Sequence, residues 1–162
     1  MGVRYRVGQF VHALRVSGAP PELGPFAHLL TAQQKALFAT MAHVDQRHCL
    51  AVARALPADA YSGRDILCAA LMHDIGKAIA PIAIWERVAY VVLSRCAPRL
   101  VGRLGAPRRG GFGHGLYVLA HHAELGASMA AQAGFSEATV ALLRGAGDAD
   151  LQAALQRADD SH

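Results

Sequence analysis

The stretch SGRDILCAALMHDIGK, residues 62–77, is the most informative part of this 162-residue chain. Ser62 and Asp65 have the spacing of a capping box, and the apolar residues that follow recur at helical spacing. The pattern predicts a helix that begins near Ser62 and ends near Gly76. We expect Gly76 to adopt a left-handed conformation there, because glycine commonly terminates helices in this way.

His73 and Asp74 are expected in the last turn of this helix. Together they offer a nitrogen and an oxygen ligand to one divalent cation, and the last carbonyls of a helix favour a nearby positive charge. Lys77 follows, and it either neutralises the helix end or faces a phosphate group. A His-Asp pair alone is weak support for a metal site, because such pairs often arise by chance.

The rest of the chain also predicts helices. Hydrophobic residues make up 53% of the chain and charged residues 17%, and alanine and leucine, which favour helix, dominate the apolar fraction. No alternating strand pattern and no repeat occurs, so we predict an all-α fold, a single-domain helical bundle. Residues 1–44 are expected to form an N-terminal helical extension packed on a domain of residues 45–162. Further helices are predicted at residues 4–16, from Pro21, from Thr31 (capping box with Gln34) to Met41, and at 48–56, 81–100, 121–133, 136–144 and 151–159, with a mobile loop at 105–115.

Charge and cysteine content narrow the choice of partners and compartment. The formal charge of +4 favours anionic partners without choosing among phosphorylated ligands, nucleic acid and anionic lipid. Only residues 107–109 form a local basic cluster, so nucleic acid is not favoured. The three cysteines, Cys49, Cys68 and Cys96, lack metal-site spacing and are predicted to be reduced core residues. No export signal is recognised, which makes the cytoplasm the expected compartment.

The apolar stretch at residues 81–95 is the one segment that invites a membrane interpretation. Glu86, Arg87 and Arg95 interrupt it and Pro98 breaks it, so no transmembrane segment is predicted. Three interpretations of this stretch stay open: a core helix, a homodimer contact and a peripheral membrane contact.

Three further residues supply ligand types on separate predicted helices. His48 lies on an apolar-faced helix, and Asp159 lies on the terminal helix, where we favour it over its neighbour Asp160. His122, near the start of another helix, either contacts the metal or hydrogen-bonds a ligand or the substrate.

In chain order, His48, then HDIGK at 73–77, then HAELGA at 122–127, then Ala-Asp at 158–159, the chain resembles the HD-domain superfamily over about residues 46–160. The resemblance implies a helical bundle and metal-dependent hydrolysis of a phosphomonoester or phosphodiester, commonly of a nucleotide. It also assigns Lys77 to a phosphate-facing position. The metal-ligand positions of the family fall on His48, His73, Asp74 and Asp159.

The chain departs from the two-metal members of that family. A His-His pair found in those members is replaced here by RGAGD at residues 144–148, and the Gly-Tyr-Pro signature is absent. We therefore predict one divalent ion, Mn, Fe, Co, Ni, Zn or Mg, and no turnover of cyclic dinucleotides. Asp74 is a candidate proton acceptor, and Arg144 is a second candidate, beside Lys77, to offset phosphate charge. The alternative is a regulatory or nucleotide-binding module of the same fold with little or no turnover.

Overall fold

The structure is a computed structural model that describes residues 19–57, 63–96 and 113–162. These residues form α-helices and two short 3-10 helices, and no strand occurs among them, which confirms the predicted all-α class. The predicted helix at 4–16 and most of the predicted loop at 105–115 lie outside the described residues. The α-helices are α1 (Ala32–Phe38), α2 (His43–Ala55), α3 (Arg64–Met72), α4 (Ile84–Cys96), α5 (His114–Gln132), α6 (Glu137–Leu143) and α7 (Ala149–Asp160), and the 3-10 helices are Gly24–Leu29 and Ile75–Ile79.

The chain divides into two units. The first unit consists of Met1–Ala19 and Ile79–His121, and the second consists of Pro20–Ala78 and His122–His162. All the candidate site residues named above lie in the second unit. A boundary near residue 44 stays a prediction.

Helix α3 is the centre of the second unit. Every residue from Ile66 to Met72 is buried, and the helix packs against α2, α6 and α7. A nine-residue helix is marginal by itself in water, so its stability comes from this packing rather than from intrinsic propensity. Burial of one leucine- or isoleucine-sized side chain contributes about 1.5–3 kcal/mol, so the buried run from Ile66 to Met72 contributes substantially to the stability of this unit.

The start of α1 is fixed by the predicted capping box. The Thr31 hydroxyl accepts a hydrogen bond from the Gln34 backbone N–H, and the Gln34 side chain accepts one from the Thr31 N–H. The Gln34 amide also donates to the carbonyls of Ala133 and Gly134, at 3.4 and 3.2 Å. Gly134 has φ +73°, as expected for a glycine that terminates a helix, here α5. One buried glutamine thus joins the start of α1 to the end of α5.

The second predicted capping box is wrong. Gly63, which has no side chain to cap with, is the N-cap residue of α3, and Ser62 lies outside the described residues. The Asp65 carboxylate instead accepts hydrogen bonds from the hydroxyls of Ser136 and Thr139. Ser136 caps α6 as predicted, by accepting from the Thr139 backbone N–H. Asp65, which the sequence assigns to a local capping box, therefore links the start of α3 to the start of α6.

Several boundaries differ from the sequence-based expectation. Helix α2 begins at His43 rather than His48, α1 ends at Phe38 rather than Met41, and α5 begins at His114 rather than His121. These differences fall at ends without a strong capping signal, where sequence patterns are least informative.

In the first unit, α4 begins at Ile84 rather than at Pro81, residues 97–100 of the predicted segment lie outside the described residues, and Cys96 is exposed. The prediction that all three cysteines belong to a core is therefore wrong for Cys96. It is confirmed for Cys49 and Cys68, which are buried and form no disulfide. Within the described ranges, no helix combines the length and the apolar character that crossing a membrane requires.

Gly76 is required for a reason other than the one predicted. It lies inside the 3-10 helix Ile75–Ile79 and is not among the glycines with positive φ. A Cβ added at Gly76 would overlap the carbonyl oxygen of His122 and lie 2.8 Å from the backbone nitrogen of Gly126. The glycine therefore permits close contact between two backbones, and this contact brings α5 next to the His73-Asp74 turn.

We predict that Gly76→Ala lowers the free energy of unfolding by about 3 kcal/mol or more, because backbone atoms cannot move away as a flexible side chain can. Gly24→Ala is the matched control: Gly24 has φ +53° and open space around it, so only the left-handed conformation costs energy, about 1–2 kcal/mol. Urea unfolding of both variants in the presence of chelator measures the difference. An equal loss in the two variants would contradict the close-contact explanation.

Candidate metal centre

The His73-Asp74 pair lies in a turn just after α3, not in its last turn as predicted. The α-helix ends at Met72, His73 is its C-cap residue, and the chain then tightens into the 3-10 helix Ile75–Ile79. The backbone contact at Gly76 lies within this tighter turn. The turn places the two side chains at the end of the most buried helix of the unit.

The structure brings His48 and Asp159 to this turn from two other helices. The Nε2 atom of His48, on α2, lies 2.8 Å from Oδ1 of Asp159, near the end of α7. The same Asp159 oxygen lies 3.5 Å from Nε2 of His73. Asp160 is exposed, which agrees with the preference for Asp159. Residues 111 positions apart in sequence therefore meet in one cluster.

The orientation of His73 leaves one ring nitrogen facing the carboxylates. Its Nδ1 lies 2.8 Å from the carbonyl oxygen of Ala70, and because a carbonyl can only accept, Nδ1 carries a hydrogen. Nε2 is buried and makes no hydrogen bond within the described part of the chain, with Asp159 Oδ1 at 3.5 Å and Asp74 Oδ1 at 3.8 Å. Metal-binding histidines characteristically donate their other N–H to a carbonyl or carboxylate in this way.

The separations around His73 Nε2 suit a cation better than direct contact between the side chains, whereas His48 Nε2 and Asp159 Oδ1 are in direct hydrogen-bond contact at 2.8 Å. Ligand atoms of His48, His73 and Asp74 all lie within 4.8 Å of one another, so the group could hold a metal ion. Two ligands that share an ion through bonds of about 2.0–2.2 Å lie roughly 3–3.5 Å apart, near the separations around His73 Nε2. A buried nitrogen without a hydrogen bond, facing two carboxylates, is thus the atom that fits a metal best.

Lys77 and His122 both approach Asp74. The Lys77 Nζ donates to Asp74 Oδ2 at 2.6 Å, and His122 Nε2 lies 3.9 Å from the other oxygen, Oδ1. Asp74 is almost completely buried, whereas His122 is partly exposed. One oxygen of Asp74 is therefore held by the lysine, and the other faces the histidines.

The electrostatics of the cluster favour positive charge between the carboxylates. Burial opposes ionisation of Asp74, but Lys77 and the neighbouring histidines lower the pKa of its carboxyl well below the usual range. The hydrogen bond from His48 and the nearby ring of His73 lower the pKa of Asp159 in the same direction. Burial also opposes the charged form of His73, yet neighbouring Cys49 and the two carboxylates raise its pKa well above the ordinary value. The electrostatics of the site therefore favour a positive charge near His73.

One contact of the site was not predicted from sequence, and one predicted site residue lies apart from the cluster. The thiol of Cys49, assigned only to the core, lies 3.7 Å from His73 Nδ1, and burial raises its pKa. The sequence signal available for this contact was the position of Cys49 next to His48 in the chain. Arg144 lies outside the contacts that join the cluster, and its Nε pairs with Glu124 Oε1 at 3.2 Å on an exposed surface.

No family model, curated protein or solved structure matches this chain. The residues and their geometry are therefore the basis for a functional proposal. Three helices and one turn bring together His48, His73, Asp74, Lys77, His122 and Asp159.

We predict that the metal-free protein is most stable between about pH 4, the ordinary pKa of an aspartate, and about pH 6.5, that of histidine. The lowered pKa values of Asp74 and Asp159 contribute stability that is present above about pH 4 and lost on acidification. The raised pKa of His73 contributes stability that is present below about pH 6.5 and lost as the pH rises through the raised value. Urea unfolding in chelator from about pH 3 to about pH 9 covers both sides of this range and measures both slopes.

Asp159→Asn should flatten the acid side of this profile, and Asp160→Asn should leave it unchanged because Asp160 is exposed. A wild-type profile that is level between pH 3 and 5, or an Asp159→Asn profile as steep as that of the wild type, would contradict the assigned pairing.

Proposed function

We propose that this chain is a metal-dependent phosphohydrolase of the HD-domain type, in which His48, His73, Asp74 and Asp159 bind one divalent ion. The observation that carries the proposal is the buried Nε2 of His73, oriented by its Nδ1–H and facing two carboxylates. The resemblance in sequence order supports the same four residues. Two nitrogens and two oxygens suit Mn, Fe, Co, Ni or Zn, with Mg as the least favoured because it prefers oxygen ligands.

Each residue then has a distinct task. A divalent ion at such a site supplies Lewis-acid polarisation of a phosphoryl oxygen and increases the acidity of water. Lys77 fixes the orientation of the Asp74 carboxylate and adds positive charge next to an incoming phosphate. A carboxylate whose pKa is lowered is a weak base, so the proton-accepting role fits His122 better than Asp74.

The exposure of the cluster indicates where a substrate would approach. The side chains of His48, His122 and Asp159 are 29%, 28% and 38% exposed, whereas that of Asp74 is 4% exposed. The buried side of the site is therefore formed by Asp74, and the accessible side by the two histidines and Asp159. A phosphomonoester or phosphodiester, including a nucleotide, would enter from the accessible side.

A regulatory or nucleotide-binding module is the second candidate. It is favoured by the 2.6 Å ion pair of Lys77 with Asp74, because this pair occupies the Lys77 ammonium group, which is the group expected to contact phosphate. Metal content together with a hydrolysis screen over nucleotides and generic phosphate esters distinguishes the two candidates. A metal-loaded protein that binds nucleotide without turnover would support the module.

We expect purified protein to contain about one divalent ion per chain, and Asp74→Ala to lower this occupancy because it removes a ligand. Asp160→Ala, a change of the same type at an exposed position, should keep full occupancy. Elemental analysis measures the metal, and far-UV circular dichroism checks that each variant is folded. Full occupancy in a protein that lacks both His73 and Asp74 would refute the ligand assignment.

Lys77→Ala should lower kcat/KM about 10- to 100-fold, the range expected when a charged hydrogen bond to the phosphoryl group is lost. Lys77→Arg should restore only part of the activity, because a planar guanidinium differs in shape from an ammonium. Arg144→Ala is the control and should have a smaller effect, since Arg144 pairs with Glu124 at the surface. Steady-state kinetics on a substrate that the wild type hydrolyses tests this order, and equal losses for Lys77→Ala and Arg144→Ala would contradict it.

A further inference from the structure

Helix α4 of the first unit buries charged residues and exposes apolar residues, which is the reverse of an ordinary surface helix. Its charged residues Glu86 and Arg87 are buried, each with 7% exposure, whereas Trp85 is 50% and Val92 39% exposed. Helices at the surface of water-soluble proteins normally turn apolar residues inward and charged residues outward. The Glu86 carboxylate is packed closely enough that a Cβ added at Gly115 of α5 would overlap it. The inversion is therefore built into the packing of this unit.

The exposed Trp85 and Val92 form one continuous apolar surface with partly exposed neighbours on the same helix. Their spacing of three to four residues places them on one face of the helix, where they line a single open depression. We call this surface the α4 stripe. Isolated surface hydrophobic residues are normal, but a contiguous apolar patch is typical of an interaction surface. The α4 stripe consists of Trp85, Val88, Ala89, Val92 and Leu93.

The charge of the chain is concentrated in the unit that carries the α4 stripe. The sequence of the first unit contains nine arginines, no lysine and one acidic residue, Glu86, which gives a formal charge of +8. The second unit contains seven basic and eleven acidic residues, a formal charge of −4. Arg95 is exposed on α4 itself, near the end of the stripe. The net charge of +4 for the whole chain conceals this separation.

We propose that the α4 stripe binds the surface of an anionic lipid bilayer, with the helix lying in the plane of the interface. The stripe would enter the boundary between headgroups and acyl chains, where Trp85 is well suited because tryptophan combines an apolar ring with a polar N–H. Arginines of the same unit would attract acidic headgroups.

Two other occupants fit the observations less well. Nucleic acid would use the arginines, but its phosphate backbone offers no apolar surface to the valines and leucine of the stripe. A second copy of the chain would bring two units of charge +8 together, and their repulsion opposes association. An anionic bilayer satisfies both the apolar and the electrostatic features.

Trp85 is the only tryptophan in the chain, so its fluorescence reports directly on the stripe. The full-length protein is titrated with phosphatidylcholine vesicles, with and without phosphatidylserine. We expect a blue shift and protection from acrylamide quenching with the phosphatidylserine vesicles only, both reduced as the salt concentration rises. The absence of a blue shift with these vesicles would overturn the proposal, and this measurement requires no variant.

Two substitutions test the apolar and charged contributions separately. Val92→Ser retains the tryptophan and should weaken vesicle binding roughly three- to tenfold through lost apolar burial. Arg95→Glu should weaken it about tenfold or more, because each basic residue near an anionic surface contributes about fivefold. Lys35→Glu is the matched control: it changes the net charge equally at an exposed position of the second unit and should have little effect. Vesicle flotation measures all three, and circular dichroism confirms folding.

Equal weakening by Lys35→Glu and Arg95→Glu would overturn the proposal, because it would reduce the interaction to net charge alone. A concentration-dependent dimer in sedimentation, with Trp85 protected in the absence of lipid, would assign the stripe to a second copy. Binding to a nucleic acid duplex without binding to vesicles would assign the basic unit to that partner instead.

Discussion

Burial of the Asp74 carboxylate is the constraint on which the organisation of the second unit depends. A charge removed from water is tolerated only when it is paired and hydrogen-bonded, and Asp74 follows a helix whose residues from Ile66 to Met72 are all buried. The Lys77 ammonium group forms an ion pair with Oδ2 of Asp74, and His73 and His122 face Oδ1. Because removal of one partner from a buried charged group is strongly destabilising, the lysine and histidines have a structural role as well as a chemical one.

The same arrangement explains why the site accepts a cation. Two carboxylates with lowered pKa values face a histidine nitrogen that lacks a hydrogen bond, so the centre of the cluster is electrostatically favourable for positive charge. A divalent ion would satisfy this demand by contacting several ligands at once. Binding of metal is therefore expected to compete with protons at His73.

Sequence patterns predicted the helical class, two helix caps and the His73-Asp74 pair from local residue types, whereas His48 and Asp159 were placed with that pair through the resemblance in sequence order. Thr31 with Gln34 and Ser136 with Thr139 form caps within four residues, and His73 and Asp74 are adjacent in the chain. The errors arose where distant parts of the chain meet. Gly76 was assigned a left-handed turn, but its small size is required by a backbone 46 residues away, and Asp65 bonds hydroxyls more than 70 residues away rather than a local cap. Such contacts leave no periodic trace in one sequence.

The long sequence separation between His48 and Asp159 has a consequence for the topology of the unfolded chain. An ion shared by these residues would act as a reversible cross-link that closes a loop of more than one hundred residues, in the manner of a disulfide. In the chain-entropy description, closure of a loop of about 100 residues restricts the unfolded ensemble by close to 4.7 kcal/mol, a figure that depends on the model used. Because Asp159 lies next to the last residue of α7, this cross-link would clamp the terminal helix onto the bundle.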